Sequence, residues 1–346
     1  MRSLDEIKRH WSPELTEPLV SVECIVYHNE GNLAQTLDSI LDQETGFPFE
    51  IIVHDDASSD ATPEIVRRYE KAYPGIVKAI CQQENQLSQG IRPDTFTSRL
   101  YRGKYIASCE GDDYWVDRYK LAKQVAMLEK HPECDLCFHS SYKIEVGSTG
   151  KERVADYGMS PRLVPAGEII ERRHGSIATA SVMVRSSITD AYLEFMAGQE
   201  DKVVGDVYFQ IMAAIRGGGC YLPDAMSVYR YKVPGSWSDS QARNPGIKLQ
   251  RLRQRICSHE RLDALTDYRF TKNFKASSRH LILKGVKEAG ATLHDKHEFY
   301  TRFSHYLSVS ERAFASLVIM CPWLVHFIRR MRARASRHLA NRAIGT

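Results

Sequence analysis

The sequence lacks any apolar run of the about twenty residues that a membrane-spanning helix needs; the longest candidate, Phe314 to Ile328, is short of that. Internal repeats and low-complexity tracts are absent, so a stacked-repeat array or a flexible linker does not enter the reading. The first residues, Met1-Arg2-Ser3-Leu4-Asp5-Glu6, hold no apolar core of signal-peptide length. Cys134-Asp135-Leu136-Cys137 has no second pair at zinc-ligand spacing, which argues against a structural zinc site. The eight cysteines lie largely in apolar runs, as at Cys24 and Cys109, and read as small buried thiols of a reduced, cytoplasmic protein. Acidic residues and lysine are missing from Arg312 to Thr346, which holds seven arginines.

What is present is a chain of 346 residues with 43% apolar content, enough for a large core and too much for a disordered chain. That length suits two domains, or one of about 250 residues with an appendage. The net charge of +4 is too small to suggest nucleic-acid binding. The arginine-rich end leaves residues 1–311 at −3, so basic character is expected to be a property of the tail.

Residues 1–18 are polar and end in Glu17-Pro18, a leader into the first strand. Leu19 to Tyr27 is an apolar, β-branched run, a buried strand. Asn32 would cap a helix with Leu33, Leu37, Ile40 and Leu41 on one face. Phe49 to His54 predicts a second strand, Thr62-Pro63-Glu64 opens a helix, and Ile76 to Cys81 predicts a third strand. This β-α-β-α-β order implies parallel strands with helical crossovers. Lys104 to Cys109 adds a strand, and Asp117 caps a helix containing Leu121, Val125 and Leu128. Cys134 to His139 and Ala178 to Val184 read as strands, and the stretch 145–175 as loops. Gly205-Asp206 begins a helix, followed by short strands at Cys220-Tyr221-Leu222 and Ser227 to Tyr231. From about 245 onward the segments 247–260, 267–289, 295–307 and 310–340 all read as helices.

Two acidic pairs, Asp55-Asp56 and Asp112-Asp113, follow two of the parallel strands. Ligands of open α/β sheets bind outside the carboxyl ends of the strands, so both pairs are expected at one crevice. Adjacent buried carboxylates repel unless a cation or donor relieves them. Few protein carboxylates, completed by phosphate and water oxygens, suit Mg2+ or Mn2+. Turn and helix-cap chemistry is the bland alternative for either pair alone.

Here the residues resemble a family. Val20-Ser21-Val22 through Tyr27-His28-Asn29-Glu30, Phe49 through Asp60, Gly103-Lys104-Tyr105-Ile106-Ala107, Glu110-Gly111-Asp112-Asp113-Tyr114-Trp115, Gly205-Asp206 and Val228-Tyr229-Arg230 stand in the order of the family 2 glycosyltransferases. The likeness covers about two thirds of the chain. It implies an α/β class and the GT-A fold, a Rossmann-like, mostly parallel central sheet flanked by helices, over 19–242, with a helical region and basic tail over 243–346. It implies an inverting, metal-dependent transfer of a hexosyl or N-acetylhexosaminyl group from a nucleotide-sugar, a UDP-sugar on family base rates, to a glycan or lipid-linked acceptor in polysaccharide biosynthesis. Tyr27 and Asp56 fall where the family holds base and ribose. Asp112 and Asp113 fall on its DxD-type motif, Asp113 for the metal, Mn2+ or Mg2+, and Asp112 for sugar and metal. Glu110 is left as an uncertain neighbour of that motif. Asp206 falls on the catalytic base, and a helix N-cap is its structural alternative.

Two departures limit the carry-over. His28-Asn29 stands where the family often reads Asn-His, so neither receives a role; segment 84–99 lacks the usual glycine, leaving Arg92 and Arg99 as candidates for the diphosphate, of which Arg92 is taken. Trp237, after Pro234-Gly235-Ser236, resembles a loop that covers donor or acceptor sugar, with a core tryptophan as the alternative. A nucleotidyltransferase of similar fold would show a glycine-rich loop, whereas residues 20–31 hold only Gly31. A catalytically inactive nucleotide- or glycan-binding module is disfavoured by the presence of Asp56, Asp112, Asp113 and Asp206. The basic, apolar segment 312–342 suggests peripheral contact with the inner face of a membrane; the alternative is a helix docked on the catalytic domain.

Overall fold

The computed structural model describes residues 2–198, 205–288 and 290–321. The chain divides into two compact units, Met1–Ser240 and Gln241–Thr346.

In chain order the first unit contains α1 (Leu4–Lys8), β1 (Val20–Val26), α2 (Leu33–Leu41), β2 (Phe49–Asp55), α3 (Thr62–Ala72), β3 (Val77–Cys81), α4 (Asp94–Thr97), β4 (Tyr105–Ser108), β5 (Tyr114–Trp115), α5 (Lys120–Lys130) and β6 (Leu136–Glu145). It continues with β7 (Lys151–Val154), β8 (Arg162–Val164), α6 (Ala166–Glu171), β9 (Met183–Arg185), α7 (Thr189–Ala197), α8 (Asp206–Ala214) and β10 (Gly219–Tyr231). Helix α9 (Trp237–Arg243) joins it to α10 (Pro245–Leu265), α11 (Thr271–Val286), α12 (Leu293–Phe303) and α13 (Val309–Met320).

One mixed sheet of ten strands runs in the order β3-β2-β1-β4-β9-β6-β10-β5, with β7 on β6 and β8 on β10. Strands β3, β2, β1 and β4 are mutually parallel, with Val20 opposite both Phe49 and Tyr105. Every residue of β2 is buried, as expected of a parallel strand covered on both faces. The chain first builds outward from β1 to β2 and β3, then returns to lay β4 on the other side of β1. That reversal opens a crevice at the carboxyl ends of β1 and β4. Gly103, leading into β4, is wedged against β1: a methyl group there would meet Ser21 N and lie 2.8 Å from Tyr105 O and Val20 C.

Several expectations are revised. The leader folds: α1 carries a capping box between Ser3 and Glu6, buries Ile7, and leads to Trp11, which packs edge-on to Phe49 at 5.7 Å. Leu4, Ile7 and Trp11 share one helical face, a spacing outweighed by the polar composition around it. The loop stretch 145–175 contains β7, β8 and α6, elements too short for periodicity to reveal. The strand expected at Ala178 to Val184 begins as a 3-10 turn, Thr179–Ser181, closed by Ser181 Oγ donating to Ala178 O at 2.7 Å. The two short strands after Cys220 are one long β10, shifted in register against β6 between Leu222 and Ser227. Asn32 makes no capping hydrogen bond to α2.

In the second unit, α10 to α13 surround a core that includes Leu249, Ile256, Leu281, Phe299, Phe303 and Ile319. Three of the helix starts are capped by side chains: Asn244, and the capping boxes Thr292 with Asp295 and Ser308 with Glu311. No helix among the described residues is long and apolar enough to cross a membrane.

Candidate active site

Strand β1 delivers Tyr27 to the crevice, and its ring stays 46% exposed, an open apolar face at a strand end. It stacks on His28 at 4.0 Å. His28 sits at φ 51° and is fastened from the neighbouring loop: its N–H donates to Ser58 Oγ at 2.9 Å, and its Nε2 accepts from Ser59 N at 3.1 Å. Asn29 Oδ1 accepts from Tyr27 N at 2.9 Å. The transposed His28-Asn29 pair thus has a positional use that sequence comparison did not supply.

The acidic pair after β2 is occupied locally. Asp55 accepts from the hydroxyl and N–H of Ser58, and burial raises its carboxyl. Asp56 is buried and accepts from Gln86 N at 2.8 Å and Leu87 N at 3.1 Å, which anchors the 84–91 segment. Hydrogen bonds from Ser58 and from the 84–91 segment hold the first pair, while burial first, then the charges of Asp112 and Glu110, raise Asp113.

After β4 the backbone makes a tight turn in which Asp113 N donates to Glu110 O at 3.0 Å. The turn closes only because position 111 is glycine: a methyl group would lie 2.5 Å from Val26 Cγ1 and 2.8 Å from Asn29 Oδ1. Thr36 on α2 braces it, its Oγ1 lying 2.9 Å from Gly111 O and 2.6 Å from Asp113 O. The turn separates its carboxylates. Glu110 and half-buried Asp112 reach solvent, while Asp113 is fully buried. Asp113 Oδ1 accepts from Arg230 N at 2.9 Å, and its Oδ2 has no partner. Arg230 of β10 closes the other side: its guanidinium donates to Asp112 O at 2.5 Å and lies 4.4 Å from the Tyr114 ring centre. Trp115 is a packing residue, its Nε1 donating to Ala180 O at 3.0 Å with Lys120 Nζ 3.9 Å from its ring centre.

Asp206 is the first residue of α8, and Gly205 is the cap, with no capping hydrogen bond from any side chain. The helix-cap alternative for Asp206 therefore fails. Its Oδ1 is buried without a partner among the described residues. Burial first, then the charges of Asp112, Asp206 and Glu23, push Glu110 up to about 8. Glu23, half-buried on β1, accepts from Thr97 Oγ1 at 2.6 Å and Tyr101 Oη at 2.5 Å, and desolvation of its carboxyl raises it. Asp112 and Asp113 are also raised, chiefly by burial. The carboxylates brought together are thus Glu110, Asp112, Asp113 and Asp206.

Arg92 is bound to Asp94 and donates to Tyr192 Oη at 2.8 Å. A methyl group on Gly205 would overlap both Arg92 and Tyr192, so this pair abuts the start of α8. Trp237 opens α9 behind Gly235, whose φ is +81°; its side chain lies outside the described residues. All eight cysteines are free thiols.

A divalent cation is the group these residues would take. Among the described residues no three His, Cys, Asp or Glu side chains form a ready cage. What is present is a crowded set of carboxylates, of which Glu110, Asp112 and Asp113 are held above their usual range, with the guanidinium of Arg230 at Asp112 and that of Arg172 near Asp206. That fits a cation completed by ligand oxygens rather than one enclosed by protein.

The sequence model described as Glycosyl transferase family 2 matches residues 21–188. Over those residues the chain is similar to glycosyl transferase family 2. Among its relatives, the Rv1520 protein of Mycobacterium tuberculosis is 34% identical over 222 residues, 63% of this chain and 60% of that protein. The chain therefore spans less than two thirds of that relative's length. Its fold matches Staphylococcus aureus TarS 1–349, solved in complex with UDP-GlcNAc, at a TM-score of 0.62 and 17% identity, over 84% of this chain and 81% of TarS 1–349. It also matches the mannosyltransferase PcManGT of Pyrobaculum calidifontis, solved with GDP-Man and Mn2+, at a TM-score of 0.52 and 17% identity, over 93% of this chain and 88% of PcManGT. The fold is thus the GT-A arrangement of these neighbours.

Proposed function

We propose that the chain is an inverting, metal-dependent glycosyltransferase that moves a sugar from a nucleotide-sugar to a glycan or lipid-linked glycan. The observation that carries this reading is Asp206, a carboxylate with a partnerless buried oxygen that serves no helix cap and stands beside the Glu110–Asp113 turn. An acceptor hydroxyl gives its proton to Asp206 while its oxygen forms the new bond to the anomeric carbon. The bond from that carbon to the diphosphate breaks, and its electron pair leaves on the diphosphate oxygen.

Asp112 and Glu110, the carboxylates open to the crevice, would hold Mn2+ or Mg2+, which supplies neutralisation of the charge on the departing diphosphate. Asp113, sealed behind them, serves this reading better by fixing Arg230 and the turn than by meeting the cation directly. Tyr27 offers its exposed face to the base, with Asp56 nearby on the 84–91 segment for base or ribose. Arg92 acts on α8 through Gly205 rather than on the diphosphate. Trp237 covers the sugar from the start of α9. The UDP-GlcNAc of TarS supports a UDP-sugar donor, and the Mn2+ of PcManGT supports the metal.

A panel of UDP-, GDP- and TDP-sugars with Mn2+ tests the proposal through release of the nucleoside diphosphate. One donor should respond, chelation should abolish the release, and Asp206→Asn should bind that donor without transferring its sugar. No release from any donor, together with no metal binding by calorimetry, ends the proposal. Donor binding without release would instead identify a binding module.

A further inference from the structure

The C-terminal unit presents an unusual surface of its own. Helix α13 packs Ala315, Val318 and Ile319 inward. Its outward side is also apolar: Val309 is 83% exposed, Leu317 43% and Met320 76%. With Ala313 these lie at helical spacings i, i+4, i+8 and i+11, one continuous stripe. Phe314 flanks the stripe, 42% exposed, with Lys287 Nζ 5.0 Å from its ring centre. Scattered exposed leucines need no explanation; a stripe along one helix does. The helix has one acid, Glu311, and that acid bonds Arg279 at 2.9 Å and caps at Ser308.

The charge of the unit is equally one-sided. Residues 241–346 hold 21 Lys and Arg against 7 Asp and Glu, a net +14, leaving residues 1–240 at −10. This corrects the expectation that basic character belongs to the tail: residues 241–311 already carry +7. Residues 322–346 lie outside the described residues and enter by composition only. They follow α13 directly and bring Trp323, Phe327 and Ile328, six arginines and no acid.

We propose that the outer face of α13 docks on an anionic membrane surface. This goes beyond the transferase reading and does not depend on it. Charge and apolarity together select the occupant. A second copy of this unit would bring +14 against +14. A nucleic acid would answer the charge and leave the apolar stripe in water. An anionic bilayer answers both, since headgroups meet the arginines while Leu317 and Met320 enter the acyl boundary.

Vesicle flotation of the full chain tests the proposal, using phosphatidylcholine alone and phosphatidylcholine containing one third phosphatidylglycerol. The anionic vesicles should bind at least about tenfold more protein, an advantage that added salt reduces. Leu317→Gln with Met320→Gln changes exposed side chains only and should lower that binding about tenfold, with the thermal midpoint unchanged. Arg329→Gln, Arg330→Gln and Arg332→Gln together should remove the preference for anionic lipid. Three results would overturn the proposal: no flotation with either vesicle, binding unaffected by Leu317→Gln and Met320→Gln, or full displacement by a DNA duplex at equal charge, which would assign the surface to a polyanion. A stable dimer that those two substitutions dissociate, without any flotation, would assign the face to a second copy. Nucleoside diphosphate release, measured in parallel, keeps failure here distinct from failure of the transferase reading.

Discussion

The two units handle excess charge in opposite ways. The first unit has the acidic excess and concentrates part of it in a crevice, where Glu110, Asp112 and Asp113 are each held above the normal carboxylate range. The second has the basic excess, 21 cationic against 7 acidic side chains in 106 residues, and its helix α13 carries an outward apolar stripe. Charges crowded together in a crevice are poised for a small ligand that neutralises them. Charges spread beside an apolar face are poised for a broad surface. Chemistry and localisation should therefore be separable by mutation.

The largest expected effect is on the acidic side. Asp206→Asn should lower kcat by about a thousandfold with donor affinity retained, the loss typical of removing a general base; equal losses in binding and turnover would make Asp206 a structural residue. Asp112→Asn comes next, with a loss of about a hundredfold and a weakened response to Mn2+ titration. Gly103→Ala should cost about 3 kcal/mol in denaturant unfolding, because the added methyl meets fixed backbone of β1 rather than a movable side chain.

The pH prediction follows from the sign of the Glu110 shift. Its folded value of about 8 lies above the ordinary 4.5, so the folded protein binds more protons than the unfolded one between those values. Stability from this group is therefore highest at low pH and falls as pH rises from about 4.5 to about 8. A cation that replaces the protons should raise the thermal midpoint more at pH 8.5 than at roughly pH 6, and Glu110→Gln should flatten that difference. The smallest effect belongs to the basic unit. Ser308→Ala removes the capping box of α13 and should cost about 1 kcal/mol without changing donor release. A change in release would show that the two regions are not separable.

The parallel half of the sheet was legible because β1 and β2 each carry an apolar face, Val20, Val22, Cys24 and Val26 on one and Phe49, Ile51 and Val53 on the other, and their helices carry clear stripes. The stretch 145–175 was not, since β7, β8 and α6 have four, three and six residues. The site was legible at the level of residue types and partly misread in orientation. A run of adjacent carboxylates does not say which ones face solvent; the Glu110–Asp113 turn decides that, and Gly111 was its one visible signal. The braces Thr36 and Arg230 come from α2 and β10, so only tertiary structure brings them to the turn. Asp206 was named by family resemblance alone; what the structure adds is that it is the first residue of α8 and not its cap.

Asp56 carries a consequence for kinetics. Both of its oxygens already accept backbone amides, from Gln86 and Leu87. A base or ribose that takes this buried carboxylate competes with those amides for it, so donor entry is coupled to the hold on the 84–91 segment. Amide hydrogen exchange at positions 86 and 87 would then quicken as donor saturates, making the 84–91 segment a label-free gauge of occupancy.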